Sequence, residues 1–390
     1  MTSHILPSLG GPTAAEKSFR VTPADPLRRR FRGCMLGGAV GDALGAPVEF
    51  MSIDEIRGRF GAAGVVDLTT AFDKQGAITD DTQMSLFTAE GLLRAHVRSS
   101  IEGSANLAAI VAHAYQRWLS TQGESPPLLD ATGDQGWLIA QKDLHARRVP
   151  GHTCLKALQA MPALGARARN DSKGCGGAMR VAPVGLYCAR EPGSSDQRML
   201  RRAFDLGCEL AGLTHGHPTG QAAAGAFAGI VALLAREFEL DEAIENVLPL
   251  VERRPLGSET KAAIETAVRL ARDGEPGPER IRELGEGWVA EEALAIALYC
   301  ALAAPDYTSG ALLAVNHDGD SDSTGAMAGN LLGTLHGVDN VPRKWLTALE
   351  LGREIAAIAD DLATYPDWPI GEFVAESEAT HFWRTRYPPA

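Results

Sequence analysis

The segment Leu107–Trp118, LAAIVAHAYQRW, sets Leu107, Val111, Ala114 and Trp118 three or four residues apart, so one face of a helix is apolar. The same spacing recurs along the chain. Phe227, Ile230, Val231 and Leu234 form a second stripe, and Ile264, Ala267, Val268 and Ala271 a third. Leu294, Ala297, Leu298 and Ala301 make a fourth, and Leu351, Ile355, Ile358 and Leu362 a fifth. All five read as core. Only Gly64-Val65-Val66-Asp67-Leu68 has the character of a strand, and it is short. Glycine and proline clusters near 121–136, 162–177 and 273–278 mark loops. No repeat or domain boundary stands out. The expected architecture is all-α, a single compact multi-helix bundle at least two-thirds helical outside its N-terminal arm, with its chemistry on loops at helix ends.

Composition agrees. The 390 residues are 45% hydrophobic and 22% charged, which suits a soluble globular protein with a sizeable core. Only 6% are aromatic, and alanine and leucine are abundant, which favours helices packed through small residues over a sandwich or barrel. A formal net charge of −12 argues against a nucleic-acid groove. The one basic run, Arg28-Arg29-Arg30 with Arg32, is short and reads as a solvated turn. Six cysteines (34, 154, 175, 188, 208 and 300) lack CxxC spacing and read as reduced thiols of a cytoplasmic protein. No signal peptide is evident, and no run approaches the roughly 18 apolar residues of a membrane span. Residues 1–27, rich in Pro, Gly, Ser and Thr, read as a flexible arm ahead of a domain over 28–390.

Two polar clusters each open an apolar helix. Thr79-Asp80-Asp81-Thr82 precedes Met84, Leu86, Phe87 and Leu92; Asp318-Gly319-Asp320-Ser321-Asp322-Ser323-Thr324 precedes Met327, Leu331 and Leu332. Helix capping accounts for one such residue at each start. Three carboxylates in five residues exceed that need, and their repulsion calls for a neutralising hard cation with oxygen ligands. Two such clusters meeting across a bundle could hold two metals roughly 3.5–4 Å apart. An EF-hand is excluded, because Ser323 stands at the sixth loop position and Gly329 at the twelfth. The DDxxD signature also fails at Asp80-Asp81-Thr82-Gln83-Met84.

Gly41-Asp42-Ala43-Leu44-Gly45-Ala46-Pro47-Val48-Glu49-Phe50 resembles the opening motif of the ADP-ribosylglycohydrolase family, in its dinitrogenase reductase-activating, arginine-acting branch. Ile78–Met84, the loop Asn170–Arg180, Thr214-His215 and Val315-Asn316-His317 running to Thr324-Gly325 follow in the family's order. The resemblance implies an all-α fold with two Mg²⁺ or Mn²⁺ ions at the base of an ADP-ribose cleft. It assigns Thr79, Asp80, Asp81, Asp320, Asp322 and Ser323 as metal ligands, Ser323 standing where the family more often has threonine. Asp318 is left as a capping or outer residue. Glu49 matches a glutamate of the acid–base machinery, and Asp80, Asp81 and Glu49 are all candidates for the base.

The same resemblance makes Ser172, Gly174, Gly176 and Gly177 a phosphate-cradling loop, whose glycines let backbone N–H groups approach an anion. Lys173 and Cys175 stand at variable positions. His215 becomes a contact to ribose or diphosphate, with His217 its rival. The implied reaction is hydrolysis of the bond between C1″ of ADP-ribose and a protein side chain, arginine first, through an oxocarbenium-like state. The implied partner is an ADP-ribosylated protein. An alternative is an immunity or regulatory protein that binds and blocks a cognate ADP-ribosyltransferase through the arm. A two-metal phosphohydrolase leaves Gly41–Phe50 and the glycine loop unexplained.

Overall fold

A computed structural model describes residues 25–129 and 136–389. It is 63% helical, slightly under the expected two-thirds, with 17 α-helices among the described residues. In chain order these are α1 (Pro26–Gly45), α2 (Ile53–Phe60), α3 (Asp80–Glu102), α4 (Leu107–Thr121), α5 (His152–Gln159) and α6 (Ala182–Ala189). There follow α7 (Asp196–Ala211), α8 (Pro218–Ala235), α9 (Leu240–Glu252), α10 (Gly257–Ala271), α11 (Pro278–Ile281) and α12 (Ala290–Ala303). The last are α13 (Tyr307–Val315), α14 (Ser321–His336), α15 (Arg343–Ala348), α16 (Gly352–Thr364) and α17 (Glu378–Arg386). A two-residue pair, Thr70–Ala71 against Lys74–Gln75, is the one sheet among the described residues.

The five stripes fall on helices apart from Leu351, the residue just ahead of α16, and most of their residues are buried in one continuous core. Central to it is α8, which packs against α6, α7, α9 and α12. This 18-residue helix is long and apolar enough to cross a bilayer, which corrects the expectation that no run is. Its apolar length is used inside the bundle, where 94% of it is buried.

Gly64–Leu68 is not a strand. Asn316 takes the place of a partner strand: its Oδ1 accepts the Val65 N–H at 2.7 Å and its Nδ2 donates to the Val65 carbonyl at 2.9 Å. One side chain thus satisfies the backbone that a second strand would have paired. The basic run is spent on ion pairs, Arg28 with Asp25, Arg29 with Asp339, Arg30 with Glu237 and Arg32 with Asp360. Residues 26 and 27 belong to α1, whose N-cap Asp25 accepts the Arg28 N–H at 3.0 Å; residues 1–24 of the proposed arm lie outside the described residues.

The contact that positions the chemistry is between α1 and α14. Glycines recur every fourth residue on both, at 33, 37, 41 and 45 and at 325, 329 and 333. A Cβ on Gly41 would sit 1.9 Å from the Gly325 carbonyl oxygen, and one on Gly333 would sit 1.9 Å from that of Gly33. Any side chain there would force the backbones apart. This seam lays the end of α1, with Asp42, against the start of α14, with Asp320 and Asp322.

A carboxylate-lined cavity as candidate active site

The segment ahead of α3 is held from two sides. Asp42 accepts the Thr79 N–H at 3.0 and 3.1 Å, the Thr79 hydroxyl at 2.9 Å, the Thr82 N–H at 3.2 Å and the Thr82 hydroxyl. Opposite, buried Glu350 accepts the Ile78 N–H at 3.0 Å and is paired with Arg148, which also donates to the Ile78 carbonyl at 2.6 Å. The first turn of α3 is thereby fixed, and Asp80 and Asp81 turn into a cavity of about 290 Å³.

That cavity also receives Glu49, Asp320, Asp322, Ser323, Gly174, Gly176 and His215. Oxygens of Glu49, Asp320 and Asp322 lie within 4.8 Å of one another. The two acidic helix starts therefore meet. Capping does not explain the second of them: Asp320 occupies the N-cap of α14, yet its side chain caps no backbone N–H.

Three sequence-assigned residues stand off the lining. Thr79 caps α3, its hydroxyl accepting the Asp81 N–H at 3.4 Å while donating to Asp42. Ser172 lies 3.3 Å from the Thr153 hydroxyl and accepts the Gly174 N–H at 3.4 Å, which shapes the glycine loop. Gly177 packs behind His215, where a Cβ would come within 3.2 Å of Nδ1. The rival His217 instead caps α8, accepting the Thr219 N–H at 3.2 Å. Asp318 serves the fold, accepting the Ile53 N–H at 2.7 Å and pairing with Arg282.

Burial and crowding act on every acid here. Burial, with Asp322 adding to it, pushes Asp80 up to about 8 and Asp42 up to about 7. Glu49 is pushed up to about 10 by burial and then by Asp322, Asp320 and Asp80. Asp81 and Asp320 are raised well above the usual carboxylate range, and Asp322 is raised as well, burial leading in each case. His215 is pushed down to about 3 by burial and by the Arg180 guanidinium, which keeps it neutral. Five carboxyl groups line this small cavity with Asp42 buried close behind them, and they cannot all ionise unless positive charge enters. The residues fit a hard divalent cation: the donor set is rich in oxygen, and Asp81 Oδ1 is buried without a hydrogen-bond partner.

Sequence reasoning missed several lining or supporting groups. Asp42 is one of these, and its signal in the sequence is a carboxylate beside the glycines of the seam. Cys175 donates to Asp320 Oδ2 at 2.7 Å and accepts from Ser323 Oγ at 3.5 Å. Phe50, Val149 and Trp288 form part of the lining, and no local pattern marks Trp288.

The ADP-ribosylglycohydrolase family model matches residues 23–369. The ADP-ribosyl-[dinitrogen reductase] glycohydrolase of Rhodospirillum rubrum is 28% identical over 347 residues, covering 85% of this chain and 95% of that protein. The ADP-ribosylarginine hydrolase of Serratia proteamaculans is 24% identical over 339 residues, covering 85% and 78%. A solved structure described as an ADP-ribosylglycohydrolase-related protein complex superposes with a TM-score of 0.62 at 26% identity, covering 88% of this chain and 99% of that one.

Proposed function

Because the chain belongs to the ADP-ribosylglycohydrolase family, we propose that it is a metal-dependent hydrolase that removes ADP-ribose from modified arginine side chains of proteins. The observation that carries this reading is the convergence of Asp80 and Asp81 with Asp320 and Asp322 in one cavity, with Asp81 Oδ1 left unpartnered. These four, with the hydroxyls of Thr79 and Ser323 beside them, would hold one or two Mg²⁺ or Mn²⁺ ions. Such an ion, when bound, would supply Lewis acidity to a water and to the ribose.

The chain's own groups do the rest. Gly174 and Gly176 expose backbone to the cavity, where a diphosphate can approach without meeting a side chain. Neutral His215 offers a hydrogen bond, not a proton, to a sugar or phosphate oxygen. Glu49, half-buried at the rim and pushed up to about 10, can hold a proton, while Asp80 and Asp81 would take one from water once a cation offsets their crowding. As the water oxygen bonds to C1″, the bond from C1″ to the guanidine nitrogen breaks and that nitrogen is protonated.

Arginine is favoured because the lining carries carboxylates and neither lysine nor arginine, which suits a cationic leaving group. The name of the Serratia relative agrees. The six free cysteines support a reducing, cytoplasmic setting. The test is incubation with ADP-ribosylated arginine, serine and DNA substrates, with and without Mg²⁺ or Mn²⁺, following released ADP-ribose. Release from none of them, at any metal concentration, refutes the assignment.

A further inference from the structure

At the cavity mouth sits an aromatic residue in an unfavourable place. Phe50 has φ of 69°, a left-handed conformation that bulky side chains avoid, and its side chain is 60% exposed. Burial therefore does not offset the strain. Residues held in such conformations cluster at active sites and ligand clamps. Phe50 lies nearly parallel to the half-buried Trp288, with ring centroids 5.1 Å apart and an interplanar angle of 18°. Both rings line the cavity.

The pair is anchored to the segments that carry the chemistry. The Phe50 N–H donates to the Gly319 carbonyl at 3.3 Å, immediately before Asp320. The Trp288 carbonyl accepts the Cys175 N–H at 3.1 Å, inside the glycine loop. The indole N–H of Trp288 donates to Glu286 at 3.0 Å, which fixes the ring plane. Glu49 stands next in the chain to Phe50, so a carboxyl group and an exposed aromatic face share one rim.

We propose that Phe50 and Trp288 form an aromatic wall that stacks the planar guanidinium of the modified arginine as it enters and leaves. This rests on the hydrolase reading above and adds to it the residues that select the linkage. A guanidinium is flat, delocalised and weakly hydrated, and it stacks on aromatic faces where a neutral serine hydroxyl gains nothing. Val149, also part of the lining, is 50% exposed with a positive φ of 49°, so a third exposed apolar side chain borders the cavity.

The test compares Phe50→Leu, Phe50→Tyr and Trp288→Leu with the parent chain in the presence of metal, on ADP-ribosyl-arginine and ADP-ribosyl-serine. The leucine variants should lower the arginine-to-serine ratio of kcat/KM by roughly threefold to thirtyfold, mainly through KM, while Phe50→Tyr keeps it. Binding of agmatine, a free guanidinium probe, followed by calorimetry, should weaken in parallel, and melting temperatures report folding. An unchanged ratio with unchanged agmatine affinity, or equal losses on both substrates, overturns the wall. If the parent chain turns over neither substrate, the hydrolase reading fails, and agmatine affinity alone then decides the wall.

Discussion

Asp42, on the last turns of α1, accepts both the backbone N–H and the hydroxyl of Thr79, the cap of α3, at 3.0 and 2.9 Å. With Thr82 doing the same, one buried carboxyl joins two helices that the chain separates by more than thirty residues. Replacing Asp42 with Ala leaves three buried donors without their acceptor and the Thr79 hydroxyl with only Asp81 Oδ2, at 3.4 Å. Each such loss costs about 1–3 kcal/mol, though relief of charge crowding offsets part of the sum. The variant should unfold at lower urea and bind Mn²⁺ more weakly by calorimetry. A urea midpoint equal to the parent's would show that Asp42 does not organise the start of α3.

Asp80 is the contrasting case: from beyond its own residue it accepts the Gly151 N–H, at 3.2 Å. Asp80→Ala and Asp322→Ala should abolish ADP-ribose release yet leave the metal-free melting temperature equal or higher, because each removes one of several mutually repelling carboxylates. Near-parent turnover at saturating Mg²⁺ would remove that residue from the ligand set.

Stability should depend on pH in a direction set by the cavity. Asp80 and Asp42 are pushed up to about 8 and about 7, against unfolded values near 4. Between about pH 4 and 8 the metal-free fold therefore binds protons that the unfolded chain does not, and its stability falls as pH rises. A bound cation replaces those protons, so Mg²⁺ or Mn²⁺ should bind more tightly at pH 8 than at pH 6 and release protons as it binds. Melting curves in EDTA and in Mn²⁺ at the two pH values check both signs; a metal-free protein that gains stability from pH 6 to 8 would contradict them.

The seam between α1 and α14 tolerates no side chain. Gly41→Ala should destabilise by about 3 kcal/mol or more, since overpacking a rigid backbone contact allows little relaxation. Gly58→Ala, in α2 with nothing within 4 Å of the added Cβ, should be neutral or stabilise by roughly 0.5–1 kcal/mol. Denaturant midpoints for the pair test whether the close approach, and not glycine as such, is what matters.

Deleting residues 1–24 should leave hydrolysis of a small ADP-ribosyl-arginine substrate nearly unchanged, because every assigned site residue lies after them. Deletion through residue 27 also removes the Asp25 cap and should cost about 1 kcal/mol in addition. Loss of small-substrate turnover in the shorter deletion would place the arm in the active site. If the arm serves a transferase partner, the same deletion weakens that complex by calorimetry.

Local pattern was enough for much of this protein. A helical stripe such as Leu294, Ala297, Leu298 and Ala301 records its buried face in its own spacing, and the excess of carboxylate at Asp80-Asp81 and Asp320-Asp322 is visible without a fold. What such patterns leave out is which surfaces meet. Val65 could have paired with a strand but is satisfied by Asn316, 251 residues away, and α8 reads as a possible span until the helices around it are in place. Asp42 becomes a hub only because glycine every fourth residue on two distant helices lets their backbones touch, and Phe50 acquires a purpose only when Trp288 arrives beside it. Residue types and their periodicity set the helices and the charge that each end carries. The convergence of those ends into one cavity depends on long-range packing, which no single segment encodes.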